Sequence, residues 1–276
     1  MSGEWLVIAG AIWLLVHLQH RISDYNAHTP YNGHGCVEDV LRKQALAPMA
    51  YRVLVPLVLK WTGARGRLLF WYFVSRDLLL IGAMVAVGCL IGWVLVPFLV
   101  VVLLVISILQ YDYWDCWIEV LAFVAVLSGN HVCAVLACMA LAASRETWPV
   151  AIVCYAAASG SALLAVLAWI PSMAVMGAVI AWQGVRPIYC DRLAIKENVG
   201  RILSWREYRY WFWEPMGLAW MAMCCACFLL RGTMPEPFAS TAFIPPGLAA
   251  MTFIFGRIVE PRLMVVGSIW IAAWIL

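Results

Sequence analysis

Charged residues are scarce in this chain. Asp, Glu, Lys and Arg make up 12% of the 276 residues, whereas soluble domains carry about a quarter. A soluble globule of this size needs more charge to cover its surface, so the composition excludes an ordinary soluble domain. The chain has 18 basic and 15 acidic residues and no basic run. This balance excludes the electrostatic footprint of a nucleic-acid-binding protein.

The motifs of soluble enzymes are also missing. The sequence contains no glycine-rich phosphate loop, no nucleophile elbow and no HExxH zinc motif. Ten cysteines are present, but most lie inside apolar stretches, where cysteine behaves as a small apolar residue. No disulfide framework is therefore expected. The cysteines inside apolar stretches are Cys89, Cys133, Cys138, Cys154, Cys224, Cys225 and Cys227.

Apolar residues dominate what is present. They make up 65% of the chain, and the mean hydropathy is +0.90, which indicates a protein whose solvent is largely lipid. A lipid-exposed backbone must satisfy its own hydrogen bonds, so the predicted fold is all-α, a polytopic membrane helix bundle of about eight to ten spans. The predicted apolar segments are 4–18, 67–89, 91–109, 116–128, 131–143, 148–183, 211–230, 241–256 and 263–276.

Two of these segments need comment. The stretch 148–183 is too long for one crossing of a hydrocarbon core about 30 Å thick, so either Gly160 or Pro171 is expected to divide it into two helices. The first segment, 4–18, is not followed by a small-residue cleavage site. It is therefore expected to be a retained span and not a cleaved signal peptide.

Polar regions divide this single membrane domain. Residues 1–66 are predicted to form a first span, an outer loop and an interfacial helix; 67–183 form the helical core, 184–210 a polar loop and 211–276 the C-terminal spans. The segment 48–61 has 14 residues, two basic side chains and a central proline, which favours a helix lying in the interface. The polar loop has six basic and three acidic residues, an excess that favours the cytoplasmic side.

The predicted topology depends on whether the segment 48–61 crosses the membrane. With a cytoplasmic N-terminus and no crossing, Asp24, Arg52, Asp112 and Arg145 all fall at the outer ends of spans. A crossing would move Asp112 and Arg145 to the face opposite Asp24, and it would place the basic residues near the end of the segment inside, as the positive-inside tendency prefers. Segment length favours the arrangement without a crossing.

Charges beside apolar helices are costly, so each cluster is a hypothesis for a functional site. In the SRET sequence at 144–147, Arg145 either pairs with its neighbour Glu146 or holds a phosphate that Glu146 positions. Asp112 and Asp115 would share one face of a helix and suit a divalent cation, although Asp115 equally suits a helix cap.

Two further clusters have simpler interpretations beside the functional one. Arg257, Glu260 and Arg262 are typical of a turn between helices with an internal ion pair. Four histidines of the first outer loop suggest a metal site, but their spacing matches no zinc motif, so loop or interfacial roles are favoured. These histidines are His17, His20, His28 and His34.

Taken in order, several elements resemble the bacterial GT-C-type multi-spanning glycosyltransferases that use polyprenyl-phosphate-linked sugars. The elements are a first span, a loop with Asp24, the AYRVLVP segment around Arg52, an Asp-containing junction, the Arg145–Glu146–Thr147 sequence and Glu260–Pro261–Arg262. The resemblance implies an enzyme of the bacterial inner membrane that transfers a sugar to an envelope acceptor. It also implies that Asp24 is the general base or a metal ligand, and that Arg52 and Arg145 stabilise the leaving lipid phosphate.

Two other functions stay open from the sequence. The 16 Trp and 19 Gly residues suit interface anchoring and helix packing, as expected of a non-catalytic membrane scaffold or partner subunit. A transporter or flippase for a lipid-linked anionic substrate is the third hypothesis. The lack of an internal repeat and the position of the charges at span ends count against it.

Overall fold

The computed structural model describes residues 39–45, 51–61, 68–92, 113–185, 195–203, 213–255 and 265–275. These residues form helices and connecting turns without a strand, which confirms the all-α prediction for the described part of the chain. The helices are α1 (Leu54–Trp61), α2 (Leu68–Ile91), α3 (Tyr113–Leu127), α4 (His131–Ala142), α5 (Trp148–Ser159), α6 (Ala162–Gln183), α7 (Ile195–Leu203), α8 (Trp213–Leu229), α9 (Ile244–Phe255) and α10 (Gly267–Ile275).

Gly160 divides the long apolar stretch 148–183. It adopts a left-handed backbone conformation with φ of 64° and ends α5, a position that favours glycine because no Cβ is present to clash. Ser161 then caps α6, since its hydroxyl accepts a hydrogen bond of 3.4 Å from the Leu164 N–H. Pro171 stays inside α6 and does not end it. Of the two predicted break positions, the helix ends at Gly160 and continues through Pro171.

Helices α3 to α6 form an antiparallel bundle with two distinct ends. At one end, after α4, the Ala143 carbonyl accepts hydrogen bonds from the Val53 and Leu54 N–H groups at 2.8 and 3.0 Å. These bonds dock the start of α1, which is 8 residues long. At the other end, His131 Nδ1 and the Tyr155 hydroxyl lie 2.9 Å apart. We call the end that contains the α4–α5 turn the charge end.

Helix α6 returns to the charge end. Gln183 Nε2 donates a hydrogen bond of 3.0 Å to the Val40 carbonyl, and Val40 packs in one small buried core with Ala143. The loop 184–210 therefore begins at the same end of the bundle as Arg145. The topology predicted above placed Arg145 outside and this loop in the cytoplasm. The division at Gly160 is one of the two breaks predicted from the sequence, and the sides of the membrane predicted for Arg145 and for this loop stay predictions.

A buried tryptophan joins the C-terminal helices to the bundle. Trp270 of α10 is fully buried, and its Nε1 donates a hydrogen bond of 2.9 Å to Thr241 Oγ1. Its ring makes edge contacts with Phe123 of α3 and Phe238, at centroid distances of 6.0 and 6.4 Å. Edge-to-face packing is a favoured aromatic geometry. Trp270 thus holds α10, α3 and the α8–α9 connection together.

Among the described residues, α6 is the one helix long and apolar enough to cross a membrane by length and composition. Its 22 residues correspond to about 33 Å at 1.5 Å per residue. The other helices contain apolar runs of 10–17 residues among the residues whose side chains are described, including Leu78–Ile91 within α2. The all-helical fold is therefore established, and the polytopic membrane arrangement remains a prediction. The predicted first span and most of the 91–109 segment lie outside the described residues.

Close packing at Gly267 gives a test of the α8–α10 contact. A Cβ at this position would lie 2.6 Å from Trp220 Cζ2 and 3.2 Å from Cys224 Sγ, and Trp220 is itself buried. Gly267→Ala is expected to destabilise the protein by about 1–3 kcal/mol through overpacking, measured by thermal unfolding in detergent. Gly177→Ala is the control, because a Cβ there meets no atom within 4 Å. Equal melting temperatures for Gly267→Ala and the wild type would contradict this packing.

Candidate functional site

A buried ion pair lies within the charge end. Arg145 follows α4, Glu119 lies inside α3, and Arg145 Nη2 is 3.2 Å from Glu119 Oε2. The side chains are 2% and 4% exposed. Removing an ion from water into a protein interior costs several kcal/mol, and only a well-placed partner offsets that cost. Each of these charges therefore requires the other.

The backbone of the α4–α5 turn is fixed by local hydrogen bonds. The Ser144 hydroxyl donates to the Ala140 carbonyl at 3.0 Å, and the Arg145 N–H donates to the Leu141 carbonyl at 2.7 Å. A serine hydroxyl that bonds back to the preceding turn is a common alternative to continuing the helix. These bonds set the direction in which the chain leaves α4 and place Arg145 against α3.

A second ion pair lies at the surface of the same end. Arg52 Nε and Nη2 lie 3.2 and 3.3 Å from the two carboxylate oxygens of Glu146. The Arg52 side chain is 11% exposed and that of Glu146 46%. Arg52 directly precedes the two residues whose N–H groups bind the Ala143 carbonyl. The docking of α1 therefore brings Arg52 to Glu146.

The two arginines keep Glu146 ionised. Burial alone would raise the pKa of Glu146, but the positive charges of Arg52 and Arg145, together with hydrogen bonds from its own backbone and from Arg52, lower that pKa overall. The cluster pairs two arginine side chains with two glutamate side chains.

The structure brings together three of the site residues predicted from sequence. Arg52, Arg145 and Glu146 share the charge end. The observed ion pairs join residues far apart in the chain, although Arg145 also acts electrostatically on its neighbour Glu146. Glu119 is not among the site residues predicted from the sequence. A signal was present, because Glu119 is the single charged residue of the apolar segment 116–128, and isolated charges in such segments are usually paired.

Of the remaining predicted site residues, Asp115 lies within the described helices. Asp115 lies in the first turn of α3, one helical turn before Glu119. The other predicted residues are outside the described part of the chain: Asp24, Asp112, Arg257, Glu260 and Arg262. The four histidines of the first loop are outside it as well.

Two further observations concern possible ligands. No group of three or more His, Cys, Asp or Glu residues that could hold a metal ion occurs within the described ranges, so the divalent cation suggested by Asp112 and Asp115 stays a prediction.

The Thr147 hydroxyl oxygen is buried beside Glu146 and makes no hydrogen bond within these same ranges. A buried polar atom without a partner costs free energy, so a ligand oxygen at this turn would gain a favourable contact.

No protein-family model, no curated protein and no solved structure matches this chain. What the site does is therefore argued from its own residues. The site holds two guanidinium groups, one beside the half-exposed carboxylate of Glu146 and one beside the buried carboxylate of Glu119. Guanidinium groups suit recognition of a phosphate or another oxyanion.

The inner ion pair is expected to behave as one unit in stability measurements. Glu119→Leu and Arg145→Met each leave one charge buried, and each is expected to cost about 3–5 kcal/mol of unfolding free energy. The double variant is expected to lose much less than the sum of the single losses, because an apolar pair suits the apolar surroundings.

Glu146→Gln is the matched control for this cycle. It removes the charge of the exposed outer pair and is expected to cost less than about 1 kcal/mol. Chemical unfolding of all four variants in the same detergent measures the coupling. If the loss of unfolding free energy in the double variant equals the sum of the two single losses, Arg145 and Glu119 do not form an ion pair.

Proposed function

We propose that this chain is a polytopic membrane protein that binds the phosphate of a polyprenyl-phosphate-linked sugar at its charge end and transfers the sugar to an envelope acceptor. The observation that carries the proposal is the pairing of Arg52 with the exposed Glu146 directly above the buried pair of Arg145 and Glu119. This arrangement supplies one guanidinium that can exchange its partner and one that is fixed.

The exposed face of α6 supports a membrane location. Large apolar side chains on this helix are 40% exposed or more, and burying one such side chain contributes about 1.5–3 kcal/mol. A face of this size in contact with water would cost several kcal/mol, a large share of the stability of a typical domain. Lipid is the solvent that removes this cost. The side chains are Leu163, Val166, Leu167, Trp169, Ile170, Met173 and Ile180.

The outer ion pair has the properties of an exchangeable ligand site. Its contacts of 3.2 and 3.3 Å are longer than the roughly 2.7–2.9 Å of strong charge-assisted hydrogen bonds. Glu146 is also half exposed, so solvent already competes for its carboxylate. A phosphate presents the same two-oxygen edge to the planar guanidinium of Arg52. Phosphate binding would therefore replace Glu146 without rebuilding the inner pair.

The proposed reaction uses this arrangement to stabilise a leaving group. The acceptor hydroxyl attacks the anomeric carbon of the sugar, the bond from that carbon to the phosphate oxygen breaks, and the lipid phosphate departs with the added negative charge. A preorganised guanidinium at Arg52 stabilises that developing charge. The resemblance assigns the acceptor proton to Asp24.

A non-catalytic scaffold or partner subunit is the second candidate. One observation favours it: the four charged side chains of the cluster already neutralise one another. A balanced network of this kind needs no ligand to be stable. In that case the ion pairs fix the helix packing, and the exposed face of α6 contacts another membrane protein.

Binding and turnover separate these two candidates. In nanodiscs supplied with a polyprenyl-phosphate-linked sugar, Arg52→Ala is expected to weaken lipid-phosphate binding about 10-fold or more, from the loss of a charged hydrogen bond worth about 1.5–3 kcal/mol. Glu146→Gln is expected to bind at least as tightly as the wild type, because it removes the competing charge. Asp24→Asn is expected to abolish turnover while binding persists.

Lys43→Ala is the control for the binding experiment. Lys43 is a basic residue at the same end, and it stacks over the Trp182 ring at 5.4 Å without contributing to either ion pair. Unchanged binding and turnover are expected for it. If Arg52→Ala and Asp24→Asn also behave as wild type, the transferase proposal is wrong and the scaffold is favoured.

Accessibility from the two sides of the membrane tests the topology. Val185→Cys at the charge end and Ser128→Cys at the opposite end are expected to react with impermeant thiol reagents from opposite sides, with unsubstituted protein correcting for native cysteines. Transfer to an envelope acceptor requires position 185 to react from outside. The basic excess of the loop 184–210 favours the opposite orientation, so labelling of position 185 from the cytoplasm would contradict the proposed transfer.

A further inference from the structure

Helix α7 carries an apolar stripe that the protein leaves exposed. Its sequence, IKENVGRIL, places Ile195, Val199 and Leu203 four residues apart, so they follow one side of the helix. Their exposed fractions are 37%, 40% and 80%. Amphipathic helices of soluble domains normally turn such a stripe toward the core. Here the stripe is left exposed on the surface of α7.

A buried hydrogen bond holds α7 in this orientation. Asn198 is fully buried, and its Nδ2 donates a hydrogen bond of 2.7 Å to the Phe253 carbonyl of α9. Asn198 lies on a different face of the helix from the apolar stripe. Rotating α7 to bury the stripe would break this bond and leave a buried amide without a partner, which costs about 1–3 kcal/mol. The outward orientation is therefore built into the fold.

The charge around α7 indicates what the stripe meets. The exposed Lys196 borders the stripe, and the loop 184–210 that contains α7 has six basic and three acidic residues. A short amphipathic helix with apolar residues on one side and basic residues beside them is the pattern of a helix that lies in a lipid interface. Basic residues near such an interface favour anionic headgroups, at about 1 kcal/mol for each Lys or Arg.

We infer that α7 lies on the surface of an anionic bilayer, with Ile195, Val199 and Leu203 in the acyl boundary and Lys196 at the headgroups. It is an interfacial helix in addition to the one predicted within 48–61. The inference rests on the membrane location in the proposed function but not on the transfer reaction. At 9 residues, or about 14 Å, α7 is too short to cross the bilayer.

The test measures the depth of two positions on α7 in proteoliposomes. An environment-sensitive fluorophore is attached through Leu203→Cys, on the stripe, or through Gly200→Cys, an exposed position about 100° around the helix from Val199. Labelled wild-type protein corrects for native cysteines. In vesicles of phosphatidylglycerol and phosphatidylcholine, iodide quenching at position 203 is expected to be at least threefold weaker than at 200. Quenching by bromine-labelled acyl chains is expected to be stronger at 203.

The lipid charge and Lys196 provide the second arm. In phosphatidylcholine alone, or with Lys196→Glu in anionic vesicles, the protection at position 203 is expected to decrease. Equal iodide quenching at 203 and 200 in anionic vesicles would overturn the inference. Protection at 203 that is the same in detergent and in both vesicle types would also overturn it, and would indicate a protein surface over the stripe.

Carbonate extraction separates this inference from the membrane proposal. If carbonate removes the protein from membranes, the membrane-spanning arrangement is wrong. Protection at position 203 that then appears when anionic vesicles are added would still support a surface-binding α7. If the protein stays in the membrane after carbonate extraction but iodide quenches the fluorophore at position 203 as strongly as at 200, the bundle spans the membrane and the inference about α7 is wrong.

Discussion

The buried pair of Arg145 and Glu119 is the constraint on which the charge end depends. Either charge alone would destabilise the apolar bundle, so α3 and the α4–α5 turn must pack in the register that joins them. That register also sets the position of the Ala143 carbonyl, which accepts the first N–H groups of α1. The docking of α1 in turn brings Arg52 to Glu146. One buried interaction thus organises residues separated by 94 positions in the chain.

The two ion pairs of the site differ in their exposure to solvent. The inner pair of Arg145 and Glu119 is buried from solvent, and it specifies the register in which the helices pack. The outer pair is partly exposed to solvent, and its contacts of 3.2 and 3.3 Å are longer than those of a strong charge-assisted hydrogen bond, which supports the proposed exchange of Glu146 for another oxyanion. A site that binds and releases a phosphate needs both properties, because the guanidinium must keep its position while its partner changes. This division favours a ligand site over a purely structural network.

Much of the helical framework could be predicted from the sequence. Apolar segments located the helices, and the excess length of the stretch 148–183 required a break, for which Gly160 was one of two candidates. Local pattern also placed Arg145 and Glu146 at the end of an apolar helix. It could not show their partners, because an ion pair depends on how α1 and α3 pack against the turn. Glu119 has no motif around it, so the sequence indicates only that a lone charge in an apolar segment needs a partner, and it does not indicate which residue that partner is.

The return of α6 to the charge end links the site to α7. Residues 184 and 185, which begin the loop, lie at the charge end. Under the proposed membrane location, lipid-exposed irregular backbone does not enter the hydrocarbon region, so Arg52 and the apolar stripe of α7 would face the same layer of headgroups. Both suit anionic headgroups, whether those belong to bulk lipid or to a lipid-linked substrate. A substrate bound at Arg52 would have its phosphate in the headgroup layer, at the depth proposed for α7. Its polyprenyl chain would then lie in the hydrocarbon region, beside the apolar face of α6. The membrane surface itself would therefore deliver the ligand to the site.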